Sequence, residues 1–172
     1  MVKFQITYRH YLKTLLILHL GMMMAQLIFI AIIFVLVNEE SSIIDLYTQN
    51  IFLIAVPSAI ILIISMGKYF YQVKLKKITR EKELASKFKS YLIIQIIQFA
   101  FAEIAALTCF LASFLSQNLV FVYGSIGILL YFLTLRPTKI KLEKELPLDF
   151  NEQNKLADPN YILYEVERSE LD

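Results

Sequence analysis

Residues 14–37 read TLLILHLGMMMAQLIFIAIIFVLV, a run with no formally charged side chain. A helix rises about 1.5 Å per residue, so about 20 apolar residues cross the ~30 Å hydrocarbon core of a bilayer. This run is long enough to do so. The apolar region of a signal peptide spans only about 7–15 residues and ends at small residues, so the stretch is expected to persist as a spanning helix. Further apolar runs lie at about 51–71, 91–115 and 119–135. Pro57 in the second is tolerable where neighbours satisfy the freed carbonyl, and Tyr69, Phe70 and Tyr71 close that run with residues favoured at headgroup level. The fourth ends at Arg136 and Pro137, a charge and a helix stop together.

Composition agrees with this reading. Of the 172 residues, 58% are hydrophobic and 19% are charged, and the mean hydropathy is +0.59. Soluble domains average about 45–50% apolar and about 25% charged residues. A chain this small leaves much of its surface outside any core, so the medium around that surface is expected to be lipid. The net charge of +2 gives no bulk attraction to nucleic acid, and Cys109, the single cysteine, has no intramolecular disulfide partner.

The connecting segments set the orientation. Lys3, Arg9 and Lys13 precede the first run, whereas the first loop holds Glu39, Glu40 and Asp45 and no base. The segment 68–89 carries eight Lys or Arg residues, among them Lys74, Lys77 and Lys87, and Arg136, Lys139, Lys141 and Lys144 follow the fourth run. Excess Lys and Arg marks the cytoplasmic side. The expectation is an all-α bundle of four transmembrane helices, built as two similar hairpins over residues 1–144. It lies in the cell inner membrane with both termini cytoplasmic. The basic segment 68–89 should meet anionic lipid headgroups. Beyond Lys144 the chain turns acidic and contains Pro147 and Pro159, so 145–172 is expected to be a largely flexible cytoplasmic tail. The stretch 161–166 is the part apolar enough to dock on the basic loop or on a partner.

No HExxH, CxxC, GxGxxG, GxSxG or Walker motif occurs, so neither an enzyme, a cofactor nor a metal centre is expected. What remains is polar groups within the apolar runs: His19 and Gln26 in the first, Gln95, Gln98 and Glu103 in the third. A carboxylate at the bilayer centre costs at least about 2.5–3.5 kcal/mol, and low dielectric disfavours its ion. Glu103 is therefore expected to face protein as a neutral acid. Matching Lys13 onward with Ser90 onward puts Gln26 opposite Glu103, each after an alanine (Ala25, Ala102). Both helices should run the same way, so the pair should bond across the bundle. His19 and Gln95 would extend it into a polar ladder toward the cytoplasmic side.

The segment 99–106 around Glu103, followed by a fourth helix ending Leu135-Arg136-Pro137-Thr138-Lys139, resembles an uncharacterised family of small bacterial four-helix membrane proteins. A duplicated hairpin with Gln26 in one copy and Glu103 in the other is weakly similar to the proteolipid c subunits of rotary ATPases. That likeness implies ion binding at Glu103 and a degenerate site at Gln26. This chain departs from the proteolipids in having four glycines in all and its carboxylate on the first helix of the second hairpin. Two functions follow as expectations. The first is a structural or accessory membrane subunit, as a homo-oligomer or with a membrane protein partner, in which Glu103 is interhelical glue. The second is a proton- or cation-binding membrane protein with Glu103 as its site.

Overall fold

The computed structural model describes residues 3–37, 43–78 and 83–167. The acidic loop residues Glu39 and Glu40 and the loop residues Arg80 and Lys82 lie outside them. The order is β1 (Lys3–Thr7), α1 (Tyr8–Leu36), α2 (Leu46–Ile78), α3 (Leu84–Ser116), α4 (Leu119–Thr134), α5 (Lys139–Glu145), α6 (Phe150–Ala157) and β2 (Ile162–Glu167). Three helices, α1 to α3, are long and apolar enough to cross a membrane, and α4 with α5, bent by 72°, makes a fourth if the pair is one span. Their outer faces are what a soluble protein could not present, with Val35, Leu46 and Ile54 each 74% or more exposed.

α3 is the hub. It packs along α2, α4 and α1, and α1 packs on α4, whereas α1 and α2 make no comparable pair. Of the two expected hairpins, α3 and α4 pack on each other, whereas α2 lies antiparallel on α3 rather than on α1, with Tyr71 near Gln95 and Gly67 against Phe101. Close approach explains Gly67, since a Cβ there would stand 2.7 Å from the Phe101 Cβ. Pro57 sits inside α2 without ending it, and the Ser58 hydroxyl donates to the Ile54 carbonyl at 2.8 Å. Between α3 and α4 the chain turns on Gln117, whose φ of 51° is left-handed, and Asn118 Oδ1 accepts from Val120 N to cap α4.

The acidic segment after Lys144 is the main correction to the sequence reading. It is not an unpartnered tail: α6 carries a capping box between Asp149 and Glu152, and β2 pairs antiparallel with β1 in the register Gln5 to Glu165 and Ile6 to Tyr164. The all-α expectation holds for the body of the chain, where six of the eight elements among the described residues are helices, and this short pair of strands is added to it. The reason is buried apolar area. Leu146, Leu156 and Leu163 enter one cluster with Tyr8, Tyr11, Leu15, Tyr71, Phe88 and Tyr91 from the ends of α1, α2 and α3. At about 1.5–3 kcal/mol per fully buried large side chain, this burial outweighs the solubility of the acidic residues between them. The turn before β2 also takes up orphan donors at the start of α1, with Tyr8 N bonded to Tyr161 O at 3.0 Å and Arg9 N to Pro159 O at 2.9 Å. Residues 145–167 are therefore a cap on one end of the bundle rather than a separate unit.

Substitution of Gly67 by Ala should lower the melting temperature of the detergent-solubilised protein, followed by circular dichroism. Overpacking costs about 1–3 kcal/mol, against at most about 1 kcal/mol gained from helix propensity. Gly127→Ala, where an added Cβ meets nothing within 4 Å, should leave the melting temperature unchanged or raise it.

Candidate functional site

α1 and α3 run parallel and in register. Two bonds between them each join residues 77 apart, Tyr11 Oη to Phe88 O at 2.8 Å and Gln26 Nε2 to Glu103 Oε2 at 2.6 Å. The register that places one places the other. Gln26 is buried and Glu103 half-buried, and beside them lies a cavity of about 10 Å³ lined also by Phe29, Ile33, Phe110 and Ser125. That is room for about one water molecule. Among the described residues Gln26 Oε1 meets no hydrogen-bond partner, and Ser125 Oγ is turned to the Phe121 carbonyl at 3.2 Å.

The other polar residues singled out from the sequence do not join this pair. His19 is buried in an aromatic slot, its ring stacked on Phe132 at 4.7 Å between centroids and tilted against Phe99 at 5.2 Å. Neither of its ring nitrogens has a hydrogen-bond partner among the described residues. Gln98 is buried as well, and its Oε1 is likewise unpartnered. Gln95 turns away from Glu103 for a geometric reason. Eight residues of helix rotate a side chain by about 80°, so Glu103 faces α1 while Gln95 faces α2. The ladder expected from His19 through Gln95 to Glu103 is therefore broken.

Gln95 instead anchors a second network that sequence reading missed. Its Nε2 donates to Tyr71 Oη at 3.0 Å and Tyr91 Oη at 2.8 Å, and both phenols donate onward to Glu145 Oε2. A carboxylate at the end of α5 is thus held by two helices of the bundle. Nearby, Lys87 is nearly buried, and its Nζ donates to Glu152 Oε2 at 2.8 Å, Glu152 Oε1 at 2.9 Å and Pro147 O at 3.0 Å. Lys89 Nζ lies 5.0 Å over the Tyr164 ring. Burial pushes the Tyr164 phenol above its ordinary value. Its share of cap docking is full below about pH 10 and is lost as the pH rises further. The signals available in the sequence were the Asp149-x-x-Glu152 pattern of a capping box, the turn at Asp158-Pro159-Asn160, and two short β-prone segments, 3–7 and 162–167.

Among the described residues, no three or more His, Cys, Asp or Glu side chains come together in a metal-binding group. Comparison with protein-family models, with curated proteins and with solved structures returns no match.

Lys87→Met leaves Glu152 with a charge in a mostly enclosed setting, and should cost on the order of 2 kcal/mol in denaturation of the solubilised protein. The double substitution Lys87→Met with Glu152→Gln removes both charges, keeps an acceptor for the Asp149 N–H of the capping box, and should recover most of that loss. A double mutant no more stable than the single one would show that the pair is not what fixes α6.

Proposed function

We propose that the chain is a four-crossing membrane protein of the cell inner membrane with both termini in the cytoplasm, serving as a structural or accessory subunit without catalysis. Pairing of β1 with β2 supports an even number of crossings, because β1 leads directly into α1 and the segment after α4 returns to it. An odd number would leave the two strands on opposite faces of the bilayer. α4 has 16 residues, a rise of about 24 Å, and snorkelling of Arg136 makes up the shortfall. Arg9, Lys13, Lys74, Lys77, Lys87, Arg136 and Lys139 gather at the capped end, which supports a cytoplasmic cap.

One observation carries the accessory reading over an ion-binding one. Glu103 is engaged by Gln26 at 2.6 Å beside a cavity of only about 10 Å³. A route for hydrated ions needs a chain of polar, water-sized spaces, and the neighbouring ring of His19 is sealed by Phe99 and Phe132. Interhelical bonds in lipid are worth about 0.6–2 kcal/mol, enough for the pair to act as glue between α1 and α3. A proton- or cation-binding role has one specific support: Gln26, Glu103 and Ser125 bring oxygen atoms around the same small cavity, and Gln26 Oε1 has no hydrogen-bond partner among the described residues.

A carboxyl-directed carbodiimide applied to the purified protein across pH separates the two. The accessory reading expects Glu103 to resist labelling and Glu103→Gln to melt like the wild type, while Glu103→Leu, which strands Gln26, loses about 1–3 kcal/mol. Labelling of Glu103 that Na⁺ or high pH suppresses would transfer the assignment to an ion or proton site.

A further inference from the structure

Where α4 ends and the chain bends into α5, a pocket of about 400 Å³ opens against the first two turns of α1. Arg9 and Lys13 form one wall, Arg136 and Lys139 the other, and no carboxylate among the described residues lines it. Lys139 is shared with Glu143 at 3.6 Å in an exposed pair, whereas Arg9, Lys13 and Arg136 form no ion pair among the described residues. Three exposed cations without an ion pair among the described residues, beside a fourth shared with Glu143, concentrate positive charge at the mouth of this pocket. We propose that this pocket binds the phosphate headgroup of an anionic phospholipid, an inference that rests on the membrane reading above.

The layout follows the order of charge and chain in a lipid. Residues 9, 13, 16 and 20 fall on one stripe of α1, since the steps of three and four keep a helix face. The stripe begins with Arg9 and Lys13 and continues as Leu16, within the pocket, and Leu20, which is exposed. Cations at the level of the bend thus give way to apolar surface in the direction an acyl chain would run. Two guanidinium groups, one from each wall, suit a phosphate because each can offer paired donors. The wall holding Arg9 depends on the cap, through the bond from Arg9 N to Pro159 O, so an occupied pocket would also pin the turn before β2. The site is distinct from the basic segment 68–89, where Lys74 and Lys77 border a smaller space of about 220 Å³.

The test uses the full chain in neutral detergent, titrated separately with phosphatidylglycerol, phosphatidylcholine and inorganic phosphate, with thermal unfolding and native mass spectrometry as readouts. Phosphatidylglycerol should bind and raise the melting temperature, and phosphatidylcholine and phosphate should not. Arg9→Gln with Arg136→Gln should weaken phosphatidylglycerol binding about thirtyfold, counting two charges at their ordinary worth beside an anionic leaflet. The charge-matched Lys74→Gln with Lys77→Gln should retain it. Equal losses in the two double variants, or equal binding of both lipids, overturn the pocket. Stabilisation by inorganic phosphate as strong as by the lipid overturns the lipid as its occupant. Should the arginine variant fail to fold, a photoactivatable phosphatidylglycerol on the wild type decides: crosslinks within 8–16 and 136–139 support the site, and crosslinks confined to 74–94 overturn it. A chain that associates with bilayers yet prefers neither lipid refutes this pocket alone, whereas one that associates with no bilayer refutes the membrane reading beneath it.

Discussion

Hydrocarbon offers no hydrogen bonds, so every polar group carried on an apolar helix must find its partner inside the protein. Most features of this structure answer to that constraint. The hydroxyls solve it locally: Thr108 donates to the Ile104 carbonyl, Ser116 to Ala112 and Ser125 to Phe121, each one turn back. Among the longer side chains Gln26, Glu103 and Gln95 solve it between helices, whereas the His19 nitrogens and Gln98 Oε1 have no partner among the described residues. Gln26 meets Glu103 across α1 and α3, and Gln95 meets Tyr71 and Tyr91 between α2 and α3. Because α3 supplies one member of each pair, it must sit in the middle, and its position decides which other helices can touch.

The second network has a consequence for the ends of the chain. Two phenols at the end of the bundle, each accepting from the Gln95 amide, have hydroxyl donors left to satisfy, and the Glu145 carboxylate accepts from both. Once α5 is held there, α6 is brought beside Lys87 and β2 beside β1. The cap is therefore an extension of the polar logic of the helices, with apolar closure by Leu146, Leu156 and Leu163. It ties the first residues of the described chain to the last, which shortens the ways in which either end can fray.

How much of this was legible depended on the range of each interaction. Three spans could be read from uninterrupted apolar runs, and the helices overrun them, α1 and α3 at their starts and α2 at both ends. The Gln26 and Glu103 pair could be read because one offset of 77 residues aligns two helices of the same direction, and a constant offset survives any detail of packing. The fate of His19 and Gln95 could not, since it turns on which neighbour each helix face meets, and α3 separates two helices that are consecutive in sequence. The strands were the hardest. β1 and β2 are five and six residues long, their partners lie 160 residues apart at Gln5 and Glu165, and acidic residues dominate the composition around β2. A short strand whose partner is at the other end of the chain leaves almost no local trace.

Pairing of β1 with β2 is the claim on which the cap and the proposed even number of crossings both rest. A disulfide between positions 5 and 165 tests it most directly. Paired Cα atoms in an antiparallel ladder stand about 4.5–5.5 Å apart, within the span a disulfide bridges. With Cys109→Ala as background, Gln5→Cys and Glu165→Cys should form an intramolecular disulfide on mild oxidation of intact membranes, visible as a mobility shift that reductant reverses. Free thiols, or crosslinks only between molecules, in a protein that remains membrane-inserted would contradict the account.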